Sequence, residues 1–245
     1  MQNTKEYNII IAGLSIPYGI TESSKAKNIR LVIDQNGLRI VKPKRVGTGE
    51  VDRVIKEKAE WVYKHFNEFQ ERRAKIPVRK WESGESVLYL GEKYIISIKE
   101  HNKNTVSVGF NGVLFEMLID SKIYGEERRV IIESAFKKWY KKAAYKIFDE
   151  RLKYFCGITG MKYDSMRIKE QKTRWGSCSG KGNLNFNWKL IMAPLWVIDY
   201  VILHEVCHLK HLNHSKDFWK MTRGYMPDYK NAQEWLKKNG ITLAL

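Results

Sequence analysis

The sequence predicts an α+β protein in which a histidine-bearing helix packs on a small antiparallel sheet, preceded by a β-rich N-terminal region and one long amphipathic helix. Three observations predict it. Strand-period segments crowd into residues 1–120, the stretch from Glu126 to Tyr154 contains neither glycine nor proline, and four of the six histidines fall between 204 and 214. Two regions are expected: 1–120, β-rich with an amphipathic helix over 49–73, and 121–245, which carries the histidines.

Taken in order, the apolar alternation of Tyr7 to Ala12, Lys27 to Ile33 and Leu38 to Val41 predicts strands, with Asp34-Gln35-Asn36-Gly37 as a hairpin turn. Val51, Val54, Ile55, Ala59, Val62, Tyr63, Phe66 and Phe69 then recur at helical spacing on a charged surface. The period returns to two between Glu85 and Asp120, interrupted at Gly91, at residues 101–104 and at Asn111-Gly112, which predicts a β-meander. Glu126 to Tyr154 predicts one long helix ending near Gly157 and Gly160, with Lys137, Lys138, Lys141, Lys142 and Lys146 on a basic face. After a strand at Ser165 to Lys169, the segment Lys172 to Leu190 reads as a hairpin with its tip at Ser179-Gly180-Lys181-Gly182. Pro194 suits the first turn of a helix, and Val197, Ile198, Val201, Ile202 and Leu203 drive that helix into the core. Ser215 is placed to cap a short helix reaching Arg223, and Pro227-Asp228 opens a last one that stops at Gly240.

Composition narrows the class. At 245 residues and 43% apolar content the chain can bury a sizeable core. No apolar run approaches the ~20 residues a membrane helix needs, and the N-terminal stretch lacks the basic region and cleavage site of a secretory signal, so the expectation is a cytoplasmic protein without membrane contact. Three cysteines without C-x-x-C spacing argue against a disulfide framework or a cysteine zinc ribbon. The net charge of +17 is uneven: residues 1–120 hold 20 basic and 15 acidic side chains, residues 121–245 hold 24 and 12. Such a field attracts anionic partners, nucleic acid among them, although it serves solubility equally well.

The chemistry lies in His204-Glu205-Val206-Cys207-His208-Leu209-Lys210-His211-Leu212-Asn213-His214. On a helix of ~3.6 residues per turn, His204 and His208 lie one above the other and can share one zinc ion. Glu205, rotated by about 100°, falls beside the metal, where a carboxylate can take a proton from activated water. A catalytic zinc needs a third protein ligand. His211 would lie ~10 Å along a straight helix from His204, too far for easy convergence. His214 is the better placed, because Asn213 tolerates the left-handed conformation that ends a helix and turns the chain back. The spacing matches the metzincin signature, with His211 in place of its glycine. Glu234 on the last helix is the fallback ligand, and iron also suits two histidines with a carboxylate. Cys207 reads as a small buried apolar residue.

Several motifs stand in order: Arg174-Trp175-Gly176-Ser177-Cys178-Ser179, Leu184-Asn185-Phe186-Asn187-Trp188, Pro194, Asp199-Tyr200-Val201-Ile202, the histidine stretch itself, and Phe218-Trp219. Together they resemble the YgjP-like metallopeptidase family over residues 163–230 and, more distantly, SprT-like and minigluzincin peptidases. A looser match runs over residues 7–75, through Ile29 to Asp34, Gly37, Lys58 and Trp61. The resemblance implies a zincin-like catalytic core, zinc held by His204, His208 and His214, Glu205 as catalytic base, and a peptide or protein substrate.

The residues add an expectation of their own for the Arg-Trp-Gly-Ser-Cys element: Gly176 permits close approach to the site and Arg174 binds a substrate carboxylate or holds the fold. Trp175 and Cys178 read as structural. Arg174, Tyr200, Tyr225 and Tyr229 are candidate oxyanion donors, and an edge strand of the 172–190 hairpin can hold an extended substrate. The competing classes are a nucleic-acid-associated protein with a structural zinc, a peptidase recruited to nucleic acid by its basic half, and a scaffold that keeps the metal for stability.

Overall fold

The structure is a computed structural model that describes residues 6–24, 26–34, 37–74, 79–171 and 173–245. It divides into two compact units, Met1–Pro77 and Val78–Leu245. The boundary therefore falls before the residue 86–120 sheet rather than at the expected 120/121, because that sheet shares its core with the long helix that follows it.

The first unit contains β1 (Glu6–Ile11), β2 (Leu14–Ser23), β3 (Arg30–Asp34) and β4 (Gly37–Pro43), in the order β1-β2-β4-β3. β1 and β2 form a hairpin, as do β3 and β4, and β2 runs parallel to β4. Gln35 and Asn36 of the expected turn lie outside the described residues. β2 is a strand the sequence rules did not indicate, since Pro17 and Gly19 weigh against an inner strand. Pro17 pairs across from Asn8 there all the same. The single helix expected over 49–73 is two, α1 (Thr48–Glu57) and α2 (Ala59–Ala74), separated by Lys58 at φ −107° and ψ 24°. Val51, Ile55, Val62, Phe66 and Phe69 are buried, as their spacing predicts.

In the second unit β5 (Ser86–Tyr89), β6 (Glu92–His101), β7 (Ser107–Phe110) and β8 (Phe115–Asp120) repeat the same arrangement, in the order β5-β6-β8-β7. The expected meander is corrected: β6 pairs in parallel with β8, and β7 is displaced to the outside. A long apolar face of β8, with Phe115, Met117 and Ile119 buried, gains more at the centre of the sheet than the half-exposed β7 would.

Helix α3 (Gly125–Thr159) forms the spine of this unit. Ile132, Phe136, Tyr140, Ala144, Phe148 and Leu152, each four residues from the last, are all buried along one face. The Tyr140 hydroxyl satisfies itself by donating to the Leu88 carbonyl at 2.6 Å. β9 (Ser165–Lys169), β10 (Gly176–Cys178) and β11 (Asn183–Asn187) form the small sheet, in the order β10-β11-β9. It is mixed rather than antiparallel, because β11 pairs antiparallel with β10 but parallel with β9.

A buried 3₁₀ turn, Trp188–Met192, leads into α4 (Leu195–Cys207), followed by α5 (Lys216–Tyr225) and α6 (Tyr229–Asn239). The start of α4 is clamped by the β5–β6 turn. Leu90 and Gly91 donate their N–H groups to the carbonyls of Ile191 and Met192, and a Cβ on Gly91 would meet Pro194 at 2.8 Å. Arg151 of α3 holds α4 a turn further on through both oxygens of Asp199.

Candidate metal centre

α4 is hydrophobic on nearly every side, with Val197, Ile198, Val201, Ile202, Leu203, Val206 and Cys207 buried. It therefore carries His204 and Glu205 into a dry environment. The helix ends earlier than expected. Leu209 and Lys210 donate to the carbonyls of Val206 and Cys207, a tightened last turn, and Asn213 does not adopt a left-handed backbone. The chain returns through the residue 208–214 loop instead, and Ser215 caps α5 by accepting from the Phe218 N–H.

The return brings His204, His208 and His214 together. One ring nitrogen from each lies within 4.8 Å of the others, and the Nε2 atoms of His204 and His214 are 3.0 Å apart. Two nitrogens at ~2.0–2.1 Å from one tetrahedral zinc would be separated by roughly 3.3 Å. The donor set is therefore of the right type and spacing for zinc. Two of the rings are also oriented from behind. His208 Nδ1 donates to the His211 carbonyl at 2.9 Å, which leaves Nε2 as its free lone pair. His204 Nδ1 faces the Tyr200 hydroxyl at 3.4 Å, and Gln233 donates to that hydroxyl at 2.9 Å. Burial, with help from the neighbouring imidazoles, pushes His204 down to about 3 and lowers His214. Both are neutral near neutral pH, the state in which an imidazole can ligate a metal.

Two aromatic residues complete the support. Phe218, fully buried, lies 4.9, 4.6 and 4.8 Å from the ring centres of His204, His208 and His214. Trp219 stacks on His214 at 5.5 Å and on Tyr229 at 5.2 Å. Sequence reasoning gave Phe218, Trp219 and Gln233 no role. The signal available was a pair of aromatics four and five residues after His214 on a helix capped by Ser215.

Glu205 is 5% exposed, and its Oε2 has no hydrogen-bond partner among the described residues. Burial pushes its carboxyl up to about 7, with Arg174 opposing the shift. Gly176 of β10 lies directly on it: a Cβ there would come within 2.6 Å of Oε1. The Arg-Trp-Gly-Ser-Cys element thus flanks the carboxylate. Trp175 packs on Gly240, and the Cys178 thiol is raised to about 11 by its burial and by Glu205.

The other expected residues are placed as follows. Arg174 is exposed, with its charge felt at Glu205. Tyr200 is buried behind His204 and faces its Nδ1, so its hydroxyl is committed to His204 and to Gln233. Tyr225 lines a cavity of about 520 Å³ with His211, Asp217 and Lys220, and none of the clustered imidazoles borders it. Glu234 is not in the cluster, which among the described residues contains three histidines and no carboxylate. His211 contributes its carbonyl rather than its ring.

An HExxH helix, a third histidine past its end and a buried glutamate beside them define the class of metallopeptidases. Within that class the chain belongs to the YgjP-like, metallopeptidase domain family, whose model matches residues 27–239. It is similar, at 22% identity and a TM-score of 0.35, to the crystal structure of the metallopeptidase zymogen of Pyrococcus abyssi abylysin, over 37% of this chain and 93% of that one. No curated protein matches it.

Proposed function

We propose that the chain hydrolyses amide bonds in a peptide or protein, with zinc held by His204, His208 and His214 and with Glu205 as general base. The observation that carries this reading is a buried Glu205 carboxylate, its Oε2 without a hydrogen-bond partner among the described residues, on the same helix as two of three converging imidazoles. When bound, zinc supplies a Lewis acid that brings the pKa of water toward ~7 and polarises a carbonyl. Glu205 takes the proton of the attacking water and later returns it to the leaving amine. Its dry surroundings keep its basicity close to the operating pH, which suits both transfers. Arg174 is exposed and its charge is felt at Glu205, and a guanidinium there can steady negative charge on a substrate oxygen. β10 is an edge strand beside the carboxylate, with no strand on its other side among the described residues, an edge to which an extended substrate can pair.

A structural zinc is closed by four protein ligands. Three gather here among the described residues, which favours the catalytic reading over a nucleic-acid-binding protein with a structural metal. The test uses purified protein, elemental analysis and a panel of unstructured protein substrates. Glu205→Gln should keep stoichiometric zinc and lose turnover, while His208→Ala loses both. Undiminished cleavage by Glu205→Gln would overturn the assignment of the base.

A further inference from the structure

α3 has a second apolar row. Beside the buried one, Ala135, Trp139, Ala143 and Ile147 run along the helix half-exposed and form the floor of a cavity of about 660 Å³. The small Ala135 and Ala143 on either side of Trp139 hollow the floor. Val108 and Phe110 of β7 form the facing wall. A third row, Lys138, Lys142 and Lys146, follows the rim, exposed. None of these lysines has an ion-pair partner among the described residues, whereas Lys137 is engaged by Glu170 and Lys153 by Asp149.

The wall is also an open sheet edge. At the opposite edge the chain just after β5 is tied to Ile191 and Met192, but β7 is the outer strand and has no backbone partner beyond β8 among the described residues. Edges are usually guarded by charge, proline or a bulge. β7 reads Ser107-Val108-Gly109-Phe110, with no charge and no proline, and pairs with β8 in unbroken register.

We propose that this groove is a second docking site, which takes an extended peptide segment alternating apolar and acidic side chains and adds it as a strand to the edge of β7. The dimensions agree. Ala135 to Ile147 spans ~18 Å of helix, the length of about five or six extended residues. Lysines four apart rise ~6 Å, close to the ~6.7 Å between side chains on one face of a strand. The occupant's apolar side chains would cover the alanines and Trp139, and its carboxylates would neutralise the lysines. A lipid or nucleic acid would use the lysines and leave the β7 hydrogen-bonding groups unpaired. Trp139 packs at right angles to Tyr89 and Phe115, at 5.2 and 4.7 Å. The site does not depend on the metal chemistry.

The test is fluorescence anisotropy of a labelled, capped Glu-Val-Glu-Val-Glu-Val peptide with the full chain, its integrity followed by mass spectrometry. Saturable binding is expected. It should weaken about tenfold or more in Lys142→Glu/Lys146→Glu and about fivefold in Ala143→Leu, with circular dichroism and Tm unchanged from the parent. Two versions of the peptide, N-methylated on one or the other alternate set of backbone nitrogens, keep the charge but remove strand pairing; at least one should lose about tenfold. The proposal is overturned if neither methylated peptide is weakened, if Lys-Val-Lys-Val-Lys-Val binds as well, or if no binding occurs at millimolar peptide. A thymidine oligonucleotide or phosphatidylserine vesicles binding through the same lysines with no sensitivity to Ala143→Leu would overturn it too.

Discussion

Gly176 lies against the carboxylate of Glu205 so closely that a methyl group at position 176 would have to share space with Oε1. The contact sets where the proposed base sits, and it leaves no room for a side chain at position 176. Gly176→Ala must therefore push Glu205 aside. The expected outcome is a fall of roughly tenfold to a hundredfold in kcat with zinc content retained, read by steady-state kinetics and elemental analysis. Full activity in Gly176→Ala would show that the carboxylate is not held by this contact.

Burial also makes Glu205 a pH-dependent load on the metal-free protein. Its folded pKa, about 7, lies above its ordinary value of 4.5. The native state thus holds a proton that the unfolded chain has released, and stability falls as pH rises from about 4.5 through 7. Glu205→Gln removes that fall. The stability difference between the chelator-treated variant and wild type should widen in favour of the variant by roughly 3 kcal/mol between pH 4.5 and 8. Urea denaturation at the two pH values measures it, and His204, neutral down to about 3, titrates alike in both proteins and cancels. A constant difference would contradict the raised pKa.

Tyr200 bridges Gln233 and His204. Removing its hydroxyl in Tyr200→Phe leaves the ring packing but frees the His204 imidazole to choose its tautomer. Zinc affinity should drop about tenfold in competition with a chromophoric chelator, with little change in thermal stability of the metal-free protein. Were Tyr200 an oxyanion donor instead, kcat would fall and zinc affinity would not.

Arg151 and Asp199 pair across α3 and α4 with both side chains largely out of solvent. Burial raises the Asp199 carboxyl and the guanidinium draws it back. Arg151→Ala strands that carboxylate, and a loss of about 3 kcal/mol in unfolding free energy is expected at neutral pH. The double variant Arg151→Met/Asp199→Leu should recover much of it. If the single variant is as stable as the parent, the pair contributes only positioning.

Much of the candidate site's geometry was legible because it is written locally. His204, Glu205 and His208 owe their geometry to one helical turn, and the apolar flanks of α4 announce its burial. His214 was legible from spacing, but not the route by which it arrives: Asn213 was expected to turn the chain, and a tightened turn at Leu209 and Lys210 does so instead. Strand order was not legible. Alternation in residues 85–120 marks each strand but carries no information on its neighbour, so the outward place of β7 emerges only when β8 takes the centre. The support given by Phe218, Trp219 and Gln233 is tertiary, set by how α5 and α6 pack on α4, and no single-segment pattern encodes it.

The three parallel rows of α3 make that helix intolerant of any change in length. One residue inserted near Ala144 would rotate everything after it by about 100°, swinging Phe148 and Leu152 toward solvent, Arg151 away from its carboxylate and Lys146 out of line with Lys138 and Lys142. Substitutions can retune each face separately, yet a single-codon insertion or deletion there would dismantle all of them together. Divergence in length within this family should therefore collect in connections such as residues 102–105, and spare the spine.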